Sequence, residues 1–574
     1  MNWPLRRRSR LHPSIVAGIP GSGAGGAGSL PSATYDGAVA LSDVVRVTLP
    51  TPRRDVASLP SRLFPPMPSH GWRGWIGPLI VTAIGGIIRM FSLGRPHAFM
   101  FDEVYYAKEG ISMLRYGYEQ AMVEKANDII LASDGNWRTL DIFRDVPAFV
   151  VHPPVGKWVI GFGEYFFGAT PFGWRIAVSI LGTLSILMVA RTVRRMTRSD
   201  LIGTLAGLLL AVEGLHIVMS RSSLLDLVLS FFCLLAFCLL VLDRDRMRAR
   251  LAHRVETEGL DALATTWGPR LGIRPLRWAA GISLGLATGV KWSGIWFIAV
   301  FAVMTVLWDL GARRAIGVGR PFTATLVRTA LPTFVSMVVL GIVTYVASWW
   351  GWFIHPEAYG RMWGASDPSV IPQALRALWH YHAQAWDFSV HLTADHSYQS
   401  NPLSWMLQTR PVSFYWDGKG TTCGASACAA AVTALGNPFI WWSGCFALLY
   451  MLWRWAARRD WRAGAILAGI VAGWFPWFLF LDRTVFSMYA VVFVPYVVMA
   501  VAMMMGAMLG PTPDRDAPPD IADRQRIRRT WGALAAGGLL VIIVFCGWWF
   551  YPVWTAVEIP YDLWRLRMWM PTWV

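Results

Sequence analysis

The stretch RSSLLDLVLSFFCLLAFCLLVLDRDRMRARLAHR, residues 221–254, decides the fold class. Residues 222–242 carry one charged side chain, Asp226, and a helix of about 17–25 apolar residues crosses the hydrocarbon core of a bilayer. The following DRDRMRARLAHR (243–254) is crowded with arginine, and such flanks stay on the cytoplasmic side. The stretch therefore reads as a membrane span with residue 221 at its outer end and residue 243 at its inner end. Arg221 and Asp226 then stand in the outer membrane layer, where ionised groups are costly and usually face a polar cavity.

Working outward from this span, comparable stretches recur at 73–93, 171–191, 200–219, 276–293, 294–310, 326–349, 436–455, 463–481, 484–507 and 531–551, about eleven in all by the length a span requires. The basic clusters at 191–198, 311–320, 454–462 and 523–529 fall on the same side as 243–254. The other side receives two long segments, 94–170 and 350–435, which are expected to hold the active site. An all-α polytopic membrane protein follows, with its N-terminus cytoplasmic. Composition agrees: 55% of the 574 residues are hydrophobic and 15% charged, unlike a water-soluble globule of this length. The net charge of +17 suits cytoplasmic loops that face anionic membrane lipid, so no nucleic-acid partner is expected. The 33 tryptophans suit both the membrane boundary and the stacking faces of sugars. Residues 1–70, rich in Pro, Gly, Ser and Arg, read as a disordered basic extension. Residues 71–552 form the membrane domain, and 553–574 an extracytoplasmic tail.

In FMFDEVYYAKEGISMLRYGYE (99–119), Val104, Ala107, Ile111, Leu114 and Tyr118 recur at spacings of three and four. That is the stripe of an amphipathic helix, expected to lie flat on the outer membrane surface. Asp102 and Glu103 open this helix, so a carboxylate pair stands at the water boundary where a lipid phosphate would sit. Asp102 is read either as a general base or as a helix N-cap, with Glu103 favoured by the helix dipole. In VHPPVGKWVIGFGEYFFG (151–168), two prolines fix a turn that returns His152 and Lys157 to the membrane surface. The alternative is a helix entry with a snorkelling lysine.

Arg221, Asp226, Lys291 and Arg483 all fall at or just inside outer helix ends. Each alone reads as snorkelling to the interface; three cations converging from separate helices suit a phosphodiester headgroup. His355, His380, His382, His391 and His396 crowd the second outer segment, but no Cys or carboxylate spacing completes a zinc site, so no metal site is assigned. Cys423 and Cys428, five apart in that segment, are a disulfide candidate in an oxidising compartment, which spacing alone leaves open.

FDEVYYAKEG (101–110), VVHPPVGKW (150–158), RSSLLDLVL (221–229), GLATGVKWSG (285–294), the block 379–416 with its His-x-Tyr-x-Ser-x-Pro run, and GNPFIWW (436–442) together resemble the protein O-mannosyltransferases, lipid-phosphosugar enzymes of the GT-C fold. The resemblance covers nearly everything after Trp72 and is closest to the compact bacterial form. It implies Asp102 as catalytic base with Glu103 beside it. It also marks His152, Lys157, Arg175, Arg221, Asp226, Lys291, Trp292, His396, Tyr398, Arg410 and Arg483 as substrate-binding. Val155 and Val290 stand where Leu and Thr are more often met. The implied partners are a polyprenyl phosphate mannose donor, unfolded or translocating protein acceptors and, as a candidate, the protein-export machinery; the implied place is a bacterial plasma membrane.

A sugar phosphodiester already has a good leaving group, so one base suffices, unlike a glycosidase with its two carboxylates. Asp102 would take the proton of a Ser or Thr hydroxyl while Lys291, Arg221 and Arg483 stabilise the departing phosphate, with inversion at the anomeric carbon. No cofactor is required on this reading, and a divalent metal is compatible with it. Competing readings are a related enzyme that glycosylates a glycolipid or polysaccharide, and a secondary transporter, which would show internal repeats and broken midplane helices.

Overall fold

The structure is a computed structural model describing residues 58–68, 71–514 and 516–574. Each apolar stretch read from the sequence contains a helix. These are α1 (Arg73–Met90), then, after α2 (Glu103–Tyr116), a short helix Ala126–Ala132 and α3 (Val155–Phe167) of the first outer segment, the spans α4 (Pro171–Thr197), α5 (Asp200–Ala211) with α6 (Gly214–Ser220), α7 (Leu225–Glu258), α8 (Pro275–Val290) and α9 (Gly294–Ala315). There follow α10 (Pro321–Ser348), the outer helix α11 (Gln373–Val390), α12 (Pro438–Arg458), α13 (Trp461–Trp474), α14 (Val494–Leu509) and α15 (Pro519–Trp554). Among the described residues, six helices are long and apolar enough to cross a membrane by themselves, or seven if the bent α5–α6 pair is one span. Of the remaining helices, α8 and α14 have 16 residues each, and α1 and α12, with 18 and 21, are less apolar.

Local sequence explains the boundaries. Thr170 caps α4 by accepting from the Gly173 amide at 3.1 Å, with Pro171 at the first helical position, where its missing N–H costs nothing. The α5–α6 pair bends by 63°. At this break Arg89 of α1 donates to the carbonyls of Leu210 and Ala211 at 2.9 and 3.0 Å, while Glu213 accepts the His216 amide at 2.7 Å. Both half-helix ends are thereby satisfied inside the bundle.

Two expectations are corrected. The stripe of α2 does not lie on lipid: Ala107 and Ile111 are fully buried, and α2 packs on α3. Gly110 and Gly161 let the two helices touch, since a Cβ on Gly161 would come within 2.8 Å of the Gly110 carbonyl oxygen. Residues 1–57 and 69–70 of the expected disordered extension lie outside the described residues. Within that extension Leu59–Leu63 is a helix, with Leu63 buried beside Met247 and Leu251 of α7.

The outer segments fold onto each other. Strands β1 (Gln120–Met122) and β2 (Phe143–Pro147) pair antiparallel. A second sheet runs β3 (Val412–Asp417), β4 (Cys428–Ala434), β5 (Ile559–Pro560), with Cys423 joined by a disulfide to Cys428, the first residue of β4. Because β5 comes from the C-terminal tail, residues 553–574 fold together with the 350–435 segment, and Trp554, Trp564 and Trp573 are buried. Midway along α7, Asp243 pairs with Arg274 at the start of α8, and Arg274 and Arg277 pair with Asp309 near the end of α9, so part of the basic charge there is neutralised inside the fold.

Candidate active site

Asp102 stands where the chain turns from α1 into α2. Phe101, just before it, holds a left-handed φ of 48°, uncommon for a residue with a Cβ and a mark of a constrained turn. The Phe101 ring is clamped by Phe414 of β3, stacked at 5.2 Å, and by Phe486 at 5.8 Å. Asp102 occupies the N-cap position but makes no side-chain cap bond, so the capping alternative fails and its carboxylate is left for the site. Burial pushes that carboxyl up to about 6; Lys291 and a hydrogen bond from Tyr106 oppose the rise, and Asp226 adds to it.

Lys291 follows α8 in an extended conformation, and its ammonium reaches both oxygens of Asp226, in the first turn of α7, at 2.9 and 2.8 Å. This pair lines a cavity of about 210 Å³ together with His152, Trp292, Arg483 and Tyr489. The rest of the wall is largely apolar, including Ile295, Phe297, Pro476, Phe480 and Val492. One end is thus charged and the other hydrocarbon-like. The Lys291 ammonium also lies 4.9 Å from the centre of the Tyr489 ring. His152 is held neutral: burial and the nearby Lys291, Lys157 and Arg483 push its pKa far down. Arg483 Nε is buried with no hydrogen-bond partner among the described residues, leaving a donor at the cavity wall. Trp292 donates to the Tyr345 hydroxyl at 2.9 Å, which in turn pairs with His382.

Six of the eleven expected binding residues, Lys157, Arg175, Arg221, His396, Tyr398 and Arg410, lie outside this cavity, as does Glu103. Glu103 is fully buried and accepts from Arg175 Nε and Nη2 at 2.9 and 2.8 Å and from the amides of Met100 and Ser223, each at 2.9 Å. Arg175 uses its remaining donors on the carbonyls of Leu93, Pro96 and Ala98. The pair therefore locks the segment ahead of Asp102 and offers no free group to a substrate. Arg221 caps the end of α1, donating to Phe91 and Ser92 carbonyls at 2.8 and 3.0 Å, so only Lys291 and Arg483 of the three expected phosphate cations reach the cavity. Lys157 is buried between Glu119 at 2.6 Å and Glu109 at 3.7 Å, and donates to the His152 carbonyl at 2.7 Å. Arg410 straps Ser397 to Thr572 through their carbonyls and lies over the Tyr398 ring. His396, edge-on to Phe486 at 5.0 Å, adjoins the Phe101 clamp.

Tyr106, Tyr489, Trp477 and Trp386 were not expected at the site. Tyr106 had a signal, since it lies one turn after Asp102. Tyr489 had none, because it sits in a 3-10 segment, Ser487–Val492, inside an apolar run.

Two family descriptions match the chain: Dolichyl-phosphate-mannose-protein mannosyltransferase over residues 79–253, and the C-terminal four TMM region of protein-O-mannosyltransferase over residues 374–573. A polyprenol-phosphate-mannose–protein mannosyltransferase of Mycolicibacterium smegmatis (strain MKD8) is 36% identical over 516 residues, covering 87% of this chain and 93% of its own. The chain belongs to the protein mannosyltransferase family. A Corynebacterium glutamicum family member is 30% identical over 86% of this chain and 91% of its own. The Saccharomyces cerevisiae Pmt1–Pmt2 complex bound to the sugar donor shares the fold, with a TM-score of 0.63 at 14% identity over 90% of this chain and 94% of that one. The chain is thus a multi-pass membrane protein of the GT-C fold, as the sequence led us to expect. The two matched regions supply different walls of the cavity: His152 and Asp226 fall in the first, and Trp386, Arg483 and Tyr489 in the second.

Proposed function

We propose that this protein transfers mannose from a polyprenyl phosphate carrier to Ser or Thr hydroxyls of exported proteins, at the outer face of a bacterial plasma membrane. One observation carries the reading: the Lys291–Asp226 ion pair lines the polar end of a cavity whose other walls are apolar, and both of its charges bear on the nearby carboxylate of Asp102. A lipid phosphosugar has that same division of polarity. In the reaction Asp102 accepts the hydroxyl proton as the acceptor oxygen bonds to the anomeric carbon. The bond from that carbon to the phosphate oxygen breaks, and polyprenyl phosphate departs with the electron pair. Lys291 and Arg483 stabilise the charge that grows on the phosphate. Attack from the face opposite the phosphate inverts the anomeric carbon. The two buried, saturated pairs, Glu103–Arg175 and Lys157–Glu119, position the segments that carry Asp102 and His152. Basic inner loops orient the cavity outward, where acceptors arrive in extended form from export.

The test is transfer by purified protein from a radiolabelled polyprenyl phosphate mannose to a Thr-rich peptide. Label on the peptide, with inverted anomeric configuration, is expected. Label found only on lipid or carbohydrate acceptors would replace this reading with that of a glycolipid or polysaccharide enzyme.

A further inference from the structure

Helix α7 runs on past its apolar part, and Arg244 and Arg248 stand one turn apart on that extension, 18 and 22 positions after Asp226. At a rise of 1.5 Å per residue they lie about 27 and 33 Å along the helix from the cavity. That is about the thickness of a bilayer's hydrocarbon layer, so the two arginines stand at the phosphate level of the opposite leaflet.

Arg244 is 5% exposed. Its guanidinium stacks on Trp461, the first residue of α13, at 3.3 Å from the ring centre, and meets the Asp245 carboxylate at 3.5 Å. Asp245 is already shared, with Arg198 at 2.9 Å and Arg195 at 3.3 Å. Arg248 makes no hydrogen bond or ion pair among the described residues. The carboxylates that act on it are Asp309 and Asp245, and Asp309 is taken by Arg274 and Arg277 at 3.1 and 3.0 Å. The Nε atoms of Arg244 and Arg248 are both buried without a partner. A ring face steadies a guanidinium from above but accepts nothing from the N–H groups in its plane. Buried cations with unfilled donors are costly, and a phosphate, with several acceptor oxygens, matches two guanidinium forks.

We propose that Arg244 and Arg248, with Arg198 beside them, bind a phosphate group at the end of the bundle remote from the cavity. The headgroup of a phospholipid in that leaflet and free inorganic phosphate share this chemistry. Neither the donor nor the reaction assigned above enters the argument.

The test is the apparent unfolding midpoint of the purified full chain in maltoside micelles, at one scan rate and after exhaustive removal of lipid phosphorus. The additions are inorganic phosphate at fixed ionic strength, phosphatidylglycerol, and diacylglycerol, which has the same chains without the phosphate. Relative to diacylglycerol or to buffer, at least one phosphate source is expected to raise the parent's midpoint by about 2 °C or more, because it binds only the folded protein. A response to phosphatidylglycerol alone assigns a headgroup, and a response to inorganic phosphate a free ion. Arg248→Met should lose the response, yet melt above the parent when no phosphate is present, since it removes an unpaired buried charge. Arg248→Lys, which keeps the charge without the fork, should need about tenfold more of the same addition. A parent indifferent to both sources overturns the site, as does either variant responding as the parent does. An Arg248→Met chain that melts below the parent without phosphate also overturns it, by showing that the protein itself satisfies the guanidinium.

Discussion

The ammonium of Lys291 bridges both carboxylate oxygens of Asp226, at 2.9 and 2.8 Å, across the outer ends of α8 and α7. A lysine in this layer is tolerable because its charge is paired. The two groups also bear oppositely on Asp102, with Lys291 drawing its pKa down and Asp226 driving it up. Substituting each in turn should therefore move the acid limb of the pH profile in opposite directions. Lys291→Met is expected to shift it upward and to weaken donor binding by about tenfold or more, as loss of a charge-assisted contact does. Asp226→Asn is expected to shift it downward. Profiles of kcat/KM for both variants check this, and a shift of the same sign in both would contradict it.

The unsubstituted protein should itself show a limb near pH 6. A base works only when ionised, so kcat/KM is expected to rise about tenfold per pH unit below 6 and to level off above it. The sign for stability is the reverse. A carboxyl raised from 3.8 to about 6 favours the protonated fold, so its contribution is fully present below 3.8 and is lost as pH rises through 6. Activity and thermal midpoint measured over pH 4–8 check both signs.

Glu103→Gln should act through the fold. Breaking a fully buried pair by neutralising one partner leaves Arg175 uncompensated, a cost of about 3–5 kcal/mol. A lowered unfolding midpoint is expected, with partial recovery in the double variant Glu103→Met, Arg175→Met. Full stability with lost activity would return Glu103 to the chemistry.

Lys157→Met removes the donor to the His152 carbonyl and leaves Glu119 unpaired. A rise of about tenfold in donor KM is expected as the His152 turn loosens, with Lys157→Arg no better because the site is closed to a larger group. Donor titrations of both variants decide; an unaltered KM in Lys157→Met would show that the turn holds by its prolines alone.

The spans were legible because length and hydropathy are local. The span 222–242 could be read without any partner, although the helix that holds it, Leu225–Glu258, runs on through the basic stretch 243–254 that reads as a loop. What the sequence hid was which charges face one another. Glu103 and Arg175 lie 72 positions apart, and Asp226 and Lys291 lie 65 apart, so neither pairing leaves a spacing signal. Arg221 and Lys291 looked alike as cations at outer helix ends. One turns back to cap α1 and the other lines the cavity, a difference that packing sets. The α2 stripe was a correct amphipathic pattern with the wrong neighbour assigned, because periodicity reports an apolar face but not whether protein or lipid covers it.

The most direct test of the central claim is transfer by Asp102→Asn in reconstituted membranes, with donor binding measured in parallel. Removing the base while keeping the side chain's shape should lower the rate by about 100-fold or more with donor affinity close to that of the parent. Mannosylation at the parent's rate would show that the proton leaves the hydroxyl by another route.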